Sequence, residues 1–270
     1  MSFFTSLSGM RNAETDLRVI SQNIANSESV GFKKSNATFF DLVASGPGTD
    51  PRVTPGIGSA LAGITQDFAL GTFEQTGRGL DVAINGDGFI PTANPVSGEI
   101  AFTRNGSLRI VANGELQDSL GDLVQAFPVD AAGNTTSTTP GNVVVPLTNA
   151  GGASLSNVVI DEAGLVSATY ADSTTEPVAR LAIAGFAAND GLRSIGQTKW
   201  EATGDSGTPT YSIPGIGNFG SIFPGALERS NVDLAEEMVS LLNAQRNFQA
   251  NARAIDTATQ ISQTVLNLRS

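Results

Sequence analysis

Hydrophobic residues recur with helical spacing near both ends of the chain, whereas the middle lacks this pattern. Near the N-terminus the spacing is 4-3-3-4-3-4, which places these residues along one stripe of a helix. The members of the stripe are Phe3, Leu7, Met10, Ala13, Leu17, Ile20 and Ile24. The pattern therefore predicts an amphipathic helix over residues 3–24.

A strict alternation of four and three residues predicts a second helix near the C-terminus. Its members are Leu234, Met238, Leu241, Gln245, Phe248, Ala252, Ile255, Thr259, Ser262 and Leu266. Neither glycine nor proline interrupts residues 226–270, and the segment from Ser230 to Asp233 has the form of a capping box. We predict a long amphipathic helix with coiled-coil spacing.

Short β-type runs separated by turn residues fill the middle of the chain. Examples are residues 80–84, 107–111, 157–160 and 178–183, and most of the 30 glycines and 12 prolines lie between such runs. Residues 131–140 form a polar loop, and residues 46–56 are rich in proline and glycine. Strands at this spacing are typical of a β-sandwich or an irregular barrel.

These patterns together predict an α+β protein, in which the two terminal helices pair as a coiled-coil-like domain and the middle domain is all-β. We place the helical domain at residues 1–28 plus 229–270 and the β domain at residues 76–228. Residues 29–75 are predicted to form an extended connector. Within it Lys33 and Lys34 are interpreted as surface residues, and Trp200 of the β domain as a core residue.

Composition excludes several classes of function. The 270 residues include 15 Lys and Arg, 26 Asp and Glu, no His and no Cys. Zinc and iron–sulfur sites built from imidazole or thiolate are therefore excluded, as are nucleophiles activated by histidine. The net charge of −11 argues against nucleic-acid binding. We also expect no membrane insertion, because no apolar run approaches the roughly 20 residues of a bilayer span, and no cleaved secretory signal.

One glycine-rich segment matches the sequence motif of a dinucleotide-binding loop. Gly215, Gly217 and Gly220 match the spacing GxGxxG. Such a loop must join a strand to a helix N-terminus, and here Pro214 precedes it and Pro224 follows it. We therefore predict no cofactor.

Acidic residues offer two alternative functions. The pairs Asp161–Glu162 and Glu236–Glu237 would suit a carboxylate-pair hydrolase, but they fit a turn and the first turn of a helix better. A calcium-dependent or carbohydrate-binding module could use a second group: Asp81, Asn85 and Asp87. This sequence lacks EF-hand spacing and suits a tight hairpin instead. We predict no catalytic or metal-binding residue.

The terminal helices cannot be stable alone. Burial of six large apolar residues contributes about 9–18 kcal/mol, whereas fixing 22 backbone units costs about 22–44 kcal/mol before hydrogen bonding is counted. The helices therefore need neighbours, and copies of the same chain are the hypothesis we favour. The predicted subunit-packing residues are Phe3, Leu7, Met10, Leu17, Ile20, Ile24, Leu234, Met238, Leu241, Phe248, Ile255 and Leu266.

Several ordered segments resemble the axial proteins of the bacterial flagellum, the hook and rod family. The N-terminal segment carries Asn-Ile-Ala-Asn at 23–26 and Gly-Phe-Lys at 31–33, which is similar to the signature of that family. Further similarity follows along the chain at 63–68, 77–89, 102–107, 113–116, 225–239 and 244–251. Each segment alone is a weak signal, but their common order makes the resemblance specific.

The resemblance implies a structural subunit that assembles into a helical tube. Terminal helices would line an export channel, with β domains outside. It also implies export through the flagellar type III apparatus without a cleaved signal, and an extracellular location in the hook or basal body. Implied partners are copies of the chain, the rod and hook–filament junction proteins, and the hook cap during assembly.

The same resemblance leaves hook and rod open. The sequences of residues 63–68 and 244–249 resemble the corresponding segments of hook members, which form a flexible joint that transmits motor torque. The chain lacks the additional outer domain of many hook proteins, however, and its length and its segment 46–56 are closer to rod members, which form a stiff drive shaft. Hook is our first expectation and rod the alternative.

Overall fold

The chain forms two compact units in a computed structural model that describes residues 2–43 and 56–267. The first, which we call the helical unit, comprises the described parts of Met1–Ser27, Lys34–Asp67 and Val232–Ser270. The second, the β unit, comprises Glu28–Lys33 and Phe68–Asn231. The chain therefore passes between the units several times, and neither unit is a continuous segment.

Two helices and one hairpin build the helical unit. Helix α1 spans Ser2–Ala25 and helix α2 spans Leu234–Asn267, so both predicted terminal helices are present. The hairpin pairs β1 (Ser35–Val43) with β2 (Gly56–Gln66) in antiparallel register. Most of the predicted loop at 46–56 lies outside the described residues.

Helix α2 begins later than the capping box at Ser230 predicts. Asp233 is the N-cap: its Oδ1 accepts hydrogen bonds from the backbone N–H groups of Ala235 (2.8 Å) and Glu236 (3.2 Å). A carboxylate at this position satisfies backbone donors that have no partner within the helix.

The segment predicted as an extended connector, 29–75, is divided between the two units. Its hairpin, β1–β2, belongs to the helical unit, whereas residues 28–33 and the chain from Phe68 belong to the β unit. Antiparallel pairing satisfies backbone groups of this segment that a single extended strand would leave to solvent.

The β unit contains seventeen strands and one short 3₁₀ helix, Asn189–Gly191. The strands are β3 (Phe73–Gln75), β4 (Val82–Asn85), β5 (Ile90–Ala93), β6 (Ile100–Thr103), β7 (Leu108–Ile110), β8 (Leu116–Asp118), β9 (Leu123–Pro128), β10 (Gly141–Asn142), β11 (Leu155–Ile160), β12 (Leu165–Tyr170), β13 (Thr175–Leu181), β14 (Ile183–Gly185), β15 (Arg193–Gly196), β16 (Lys199–Glu201), β17 (Thr210–Ser212), β18 (Ser221–Pro224) and β19 (Ala226–Glu228). All four runs predicted as strands are found, with ends shifted by a few residues.

Eleven of these strands form one open sheet. Its main path runs β11-β12-β13-β9-β5-β6-β16-β15; β10 and β8 also pair with β9, and β7 pairs with β8. Three further pairs are β14–β17, β18–β4 and β19–β3. The described strands do not close on themselves, so the barrel prediction is wrong. The α+β class is confirmed.

Two buried clusters hold the β unit together. The larger is aliphatic and includes Val82, Leu108, Val124, Ile160 and Leu181. The smaller is aromatic, and its fully buried members are Phe89, Phe102, Ala184 and Trp200. The core interpretation of Trp200 is therefore confirmed.

Lys33 is a core residue, and its surface interpretation is wrong. Its side chain is fully buried, and Nζ donates hydrogen bonds to Glu228 Oε1 at 2.6 Å and to the Ala69 carbonyl at 2.7 Å. Glu228 is also fully buried, and it accepts from the backbone N–H of Gly71 (3.1 Å) and from Arg104 (3.4 Å). One carboxylate thus joins the three segments around residues 33, 71 and 228.

Arg104 completes this buried network. Its guanidinium lies 5.1 Å from the centre of the Phe89 ring, a distance at which a cation is attracted to the ring face. Burial lowers the pKa of Arg104, and the charge of Glu228 opposes that shift. The positive charges of Lys33 and Arg104 are therefore compensated mainly by Glu228.

We expect Glu228→Gln to destabilise the β unit strongly. The substitution keeps the shape but leaves two buried cations without their counter-charge, which costs about 3–5 kcal/mol. Urea unfolding followed by Trp200 fluorescence measures the change. Glu201→Gln is the matched control, because Glu201 pairs with Arg193 in an exposed ion pair, and it should cost less than about 1 kcal/mol. Equal midpoints for the two variants would contradict this role of Glu228.

Candidate subunit-packing surface

Small side chains line the contact between α1 and α2. In α1, Ala13 is buried, and a Cβ atom added at Gly9 would lie 2.8 Å from the Asn251 side-chain oxygen of α2. In α2, Ala244 is buried. Short side chains let two helix backbones approach closely, which leaves little room for large apolar residues on the shared face.

The predicted packing residues occupy three kinds of position. Ile20 is buried. The half-buried members are Leu7, Met10, Leu17, Ile24, Leu241, Phe248 and Ile255. Phe3, Leu234 and Met238 are exposed, by 42%, 45% and 52%. The side chain of Leu266 lies outside the described part of the chain.

The covered face of α2 is rotated from the predicted stripe. Its buried and half-buried side chains are Glu237, Ser240, Leu241, Ala244, Phe248, Asn251, Ala252, Ile255 and Ala258. Hydrophobic periodicity could not find Glu237, which is charged. The available signal for a close helix contact was the presence of small residues: Gly9 and Ala13, four positions apart in α1, and Ala244 in α2.

Large apolar residues cluster on the outside of α2 near its beginning. Leu234, Met238, Val239 and Leu242 are each between 45% and 58% exposed, and their spacing of four, one and three puts them on one side of the helix. We call these four residues the outer apolar face. Exposed apolar groups of this size in one chain are typical of protein–protein contact sites.

The hairpin of the helical unit also carries exposed apolar side chains. Phe39 is paired with Leu61, and both are exposed, as are Phe40 and Ile64. Sequence periodicity missed these residues because register shifts after Thr38 and Leu42 interrupt the alternation of the strands.

A polar network fixes the hairpin to both helices. The Asn23 amide donates to the Ser35 carbonyl (2.9 Å) and to Glu237 (3.2 Å), and its oxygen accepts from the Ser35 N–H (2.9 Å). Lys34 donates to Glu237 at 2.8 Å, and this bond raises the pKa of Lys34. Asn23 belongs to the Asn-Ile-Ala-Asn motif, so part of that motif joins three elements of the helical unit.

Asp16 lies beside this network, in a polar cavity of about 300 Å³ that is also lined by Asn23, Lys34 and Glu237. Burial raises the pKa of Asp16, and the negative charge of Glu237 raises it further. The described residues contain no group of three or more acidic side chains that could hold a metal ion.

The alternative sites of the sequence have structural roles. Residues 215–220 join β17 to β18, so strands flank this loop on both sides and no helix follows it. Asp81 is buried, where it accepts from Thr76 (2.6 Å) and pairs with Arg78 (3.5 Å). Asp161 Oδ1 accepts from two backbone N–H groups of its own turn, those of Ala163 and Leu165.

Comparisons with known proteins identify the family of the chain. Residues 83–168 match a model described as flagellar hook protein FlgE/F/G D1 domain, and residues 224–268 match flagellar basal body rod FlgEFG protein C-terminal. The flagellar basal-body rod protein FlgG of Bacillus subtilis is 34% identical over 282 residues, covering 99% of this chain and 98% of that protein. The chain belongs to the family of flagellar hook and rod proteins. It is therefore a structural component of the flagellum and not a member of an enzyme family.

Hook and rod members of the family show comparable similarity. The flagellar hook protein FlgE of Escherichia coli is 28% identical over 410 residues, with all of both chains covered. Because this chain has 270 residues, the E. coli protein contains a large segment without a counterpart here. FlgG of Borreliella burgdorferi is 32% identical over 284 residues and covers 99% of this chain. No helix of residues 2–43 and 56–267 is long and apolar enough to cross a membrane.

We expect Asp16→Asn to stabilise the helical unit at neutral pH. A carboxyl with a raised pKa in the folded state is ionised there at a cost, so stability falls as pH rises from the ordinary value of 3.8 through the raised value. The neutral amide avoids this cost, and the advantage should disappear below pH 3.8. Thermal unfolding followed by far-UV circular dichroism across this range measures it.

Glu14→Gln is the control for Asp16, because Glu14 lies on the same helix and pairs with Arg18 in a largely exposed contact. Its effect on the melting temperature should be small at every pH. A lower melting temperature of Asp16→Asn at pH 7 would show that the ionised carboxylate stabilises the unit.

Proposed function

We propose that the chain is a subunit of the flagellar hook, which assembles into a helical tube through its terminal helices. The observation that carries the proposal is the outer apolar face, Leu234, Met238, Val239 and Leu242, which a single chain leaves exposed. Neighbouring copies would cover it. The tube would enclose the export channel and act as a flexible joint that transmits motor torque to the filament.

In this proposal residues 1–28 and 229–270 pair in coiled-coil fashion as the inner layer of the tube. Residues 76–228 form the outer domain, and residues 29–75 add the hairpin β1–β2 to the helical unit and connect it to the outer domain. Partners would be other copies of the chain, the rod and hook–filament junction proteins, the hook cap during assembly and the type III export apparatus. Export would require no cleaved signal.

Support for hook over rod comes from residues 63–68 and 244–249, whose sequences resemble those of hook members. A rod subunit is the second candidate, and the observation that favours it is length. The alignment with the B. subtilis rod protein spans 282 residues and nearly all of both chains, whereas the E. coli hook alignment needs 410. A rod subunit would form a stiff drive shaft instead of a joint.

We expect Leu242→Asp to weaken polymerisation while both units stay folded. Leu242 is 54% exposed in one chain, so the substitution changes little until another copy covers it. Loss of its burial costs about 1.5–3 kcal/mol per contact, which corresponds to a rise of about 10- to 100-fold in the critical concentration. Sedimentation and electron microscopy measure the polymer, and circular dichroism the fold.

Asn247→Asp is the matched control, because it adds the same charge at an exposed polar position of α2, about 140° around the helix from Leu242. It should polymerise at close to the wild-type concentration. Tubes of Leu242→Asp that form at the wild-type concentration would exclude the outer apolar face from the subunit contact.

The location of the chain in isolated hook–basal bodies separates the two candidates. The sequence has no cysteine, so Thr138→Cys, in the exposed polar loop 131–140, provides a single site for thiol-reactive gold. We expect gold along the curved segment between rod and filament. Gold confined to the straight rod would assign the chain to the drive shaft, and the parent chain without cysteine is the background control.

A further inference from the structure

A buried lysine of the β unit faces two carboxylates. Lys199 begins β16, Asp118 ends β8, and Asp122 lies four residues further on. Lys199 Nζ contacts Asp118 Oδ2 at 2.7 Å and also contacts Asp122 Oδ2. The side chains of Lys199 and Asp118 are only 4% and 3% exposed. A buried ion pair is often no more stabilising than apolar residues of similar volume. We therefore ask whether this cluster has a chemical role.

The carboxyl group of Asp118 is held in one orientation. Its Oδ1 accepts hydrogen bonds from the backbone N–H groups of Leu120 (2.8 Å) and Asp122 (2.9 Å). Two such donors would stabilise negative charge that develops on Oδ1 during attack on the carboxyl carbon. The other oxygen, Oδ2, is the one that faces Lys199.

Lys199 directly follows a strained turn. Gln197 and Thr198, which precede it, both have left-handed backbone angles, with φ of 57° and 56°. Such angles are unfavourable for a β-branched residue such as Thr198 and are found where the surrounding structure imposes them. Here the Thr103 hydroxyl donates to the Thr198 carbonyl at 2.9 Å, which helps to hold the turn.

We propose that Lys199 and Asp118 condense to an intramolecular isopeptide bond, with Asp122 as the proton carrier. Asp122 removes a proton from the Lys199 ammonium, and the free amine attacks Cγ of Asp118. The C–N bond forms while negative charge collects on Oδ1 beside the two N–H groups. Oδ2 receives two of the three ammonium protons through Asp122, and the C–O bond breaks to release water.

The step balances without a cofactor. One hydrogen stays on the amide nitrogen, two leave with the oxygen, and Asp122 returns to its starting form. One positive and one negative charge are lost together, and the remaining carboxylate, Asp122, has a side chain that is 17% exposed to solvent. The product joins β8 to β16, two strands that are not paired with each other in the sheet.

The other buried lysine of the β unit, Lys33, shares its carboxylate with a different kind of side chain. Lys33 contacts Glu228, but the second charged side chain on that carboxylate is Arg104, a guanidinium. A guanidinium keeps its proton in proteins and cannot accept another. Lys33 and Glu228 therefore remain an ion pair, and their residues provide an internal comparison.

The mass of the intact, denatured protein tests the proposal. We expect the folded full-length chain to be lighter than its sequence by one water molecule, and a proteolytic digest to contain the peptide with Asp118 joined to the peptide with Lys199. Lys199→Arg, which keeps the charge but is a poor nucleophile, should have the mass of its own sequence. Asp122→Asn should lose water slowly or not at all.

Two controls make the result specific. Asp161→Asn, at a turn of the same unit, should show the same loss of water as the parent chain. A cyclic imide at Asp87–Gly88 would also release water, but it would persist in Lys199→Arg and give no joined peptide. Circular dichroism confirms that each variant is folded.

The proposal is overturned if the folded parent chain keeps the full mass of its sequence after prolonged incubation, or if the joined peptide contains Asp122 instead of Asp118. Neither outcome bears on assembly into a hook or rod, because the reaction takes place within one β unit.

Discussion

The contact between α1 and α2 is close, and the rest of the helical unit follows from that closeness. Gly9 and Ala244 occupy the shared side, where a larger residue at Gly9 would meet Asn251. Several bulky side chains of α2 lie outside this contact, and Leu234 and Met238 remain exposed in one chain. Apolar area removed from water is the main favourable term in association, so the packing that satisfies one subunit also prepares its surface for another.

Two adjacent lysines, Lys33 and Lys34, belong to different units. Lys33 is buried in the β unit against Glu228, whereas Lys34 belongs to the helical unit and pairs with Glu237. Both partners lie close to the start of α2 in the sequence, on either side of its N-cap, Asp233. Each unit thus has its own ion pair beside the point where the chain passes from one to the other.

Sequence periodicity was sufficient for the terminal helices, because α1 and α2 are long and their apolar spacing is regular. The family followed from ordered motifs such as the one around Asn23. The burial of Lys33 could not be predicted, because it depends on Glu228, which is far away in the sequence. The covered face of α2 was missed in part for the same reason: Glu237 is held inside by Asn23 and Lys34. The hairpin β1–β2 was missed because register shifts interrupt the alternation of its strands.

The discontinuous helical unit has a consequence for timing during biosynthesis. Its first segment, Met1–Ser27, is made early, but its last, Val232–Ser270, is made only after the whole β unit has been translated. A ribosome-bound chain therefore cannot complete the surface through which copies would associate. The order of synthesis thus delays association of copies until translation is complete.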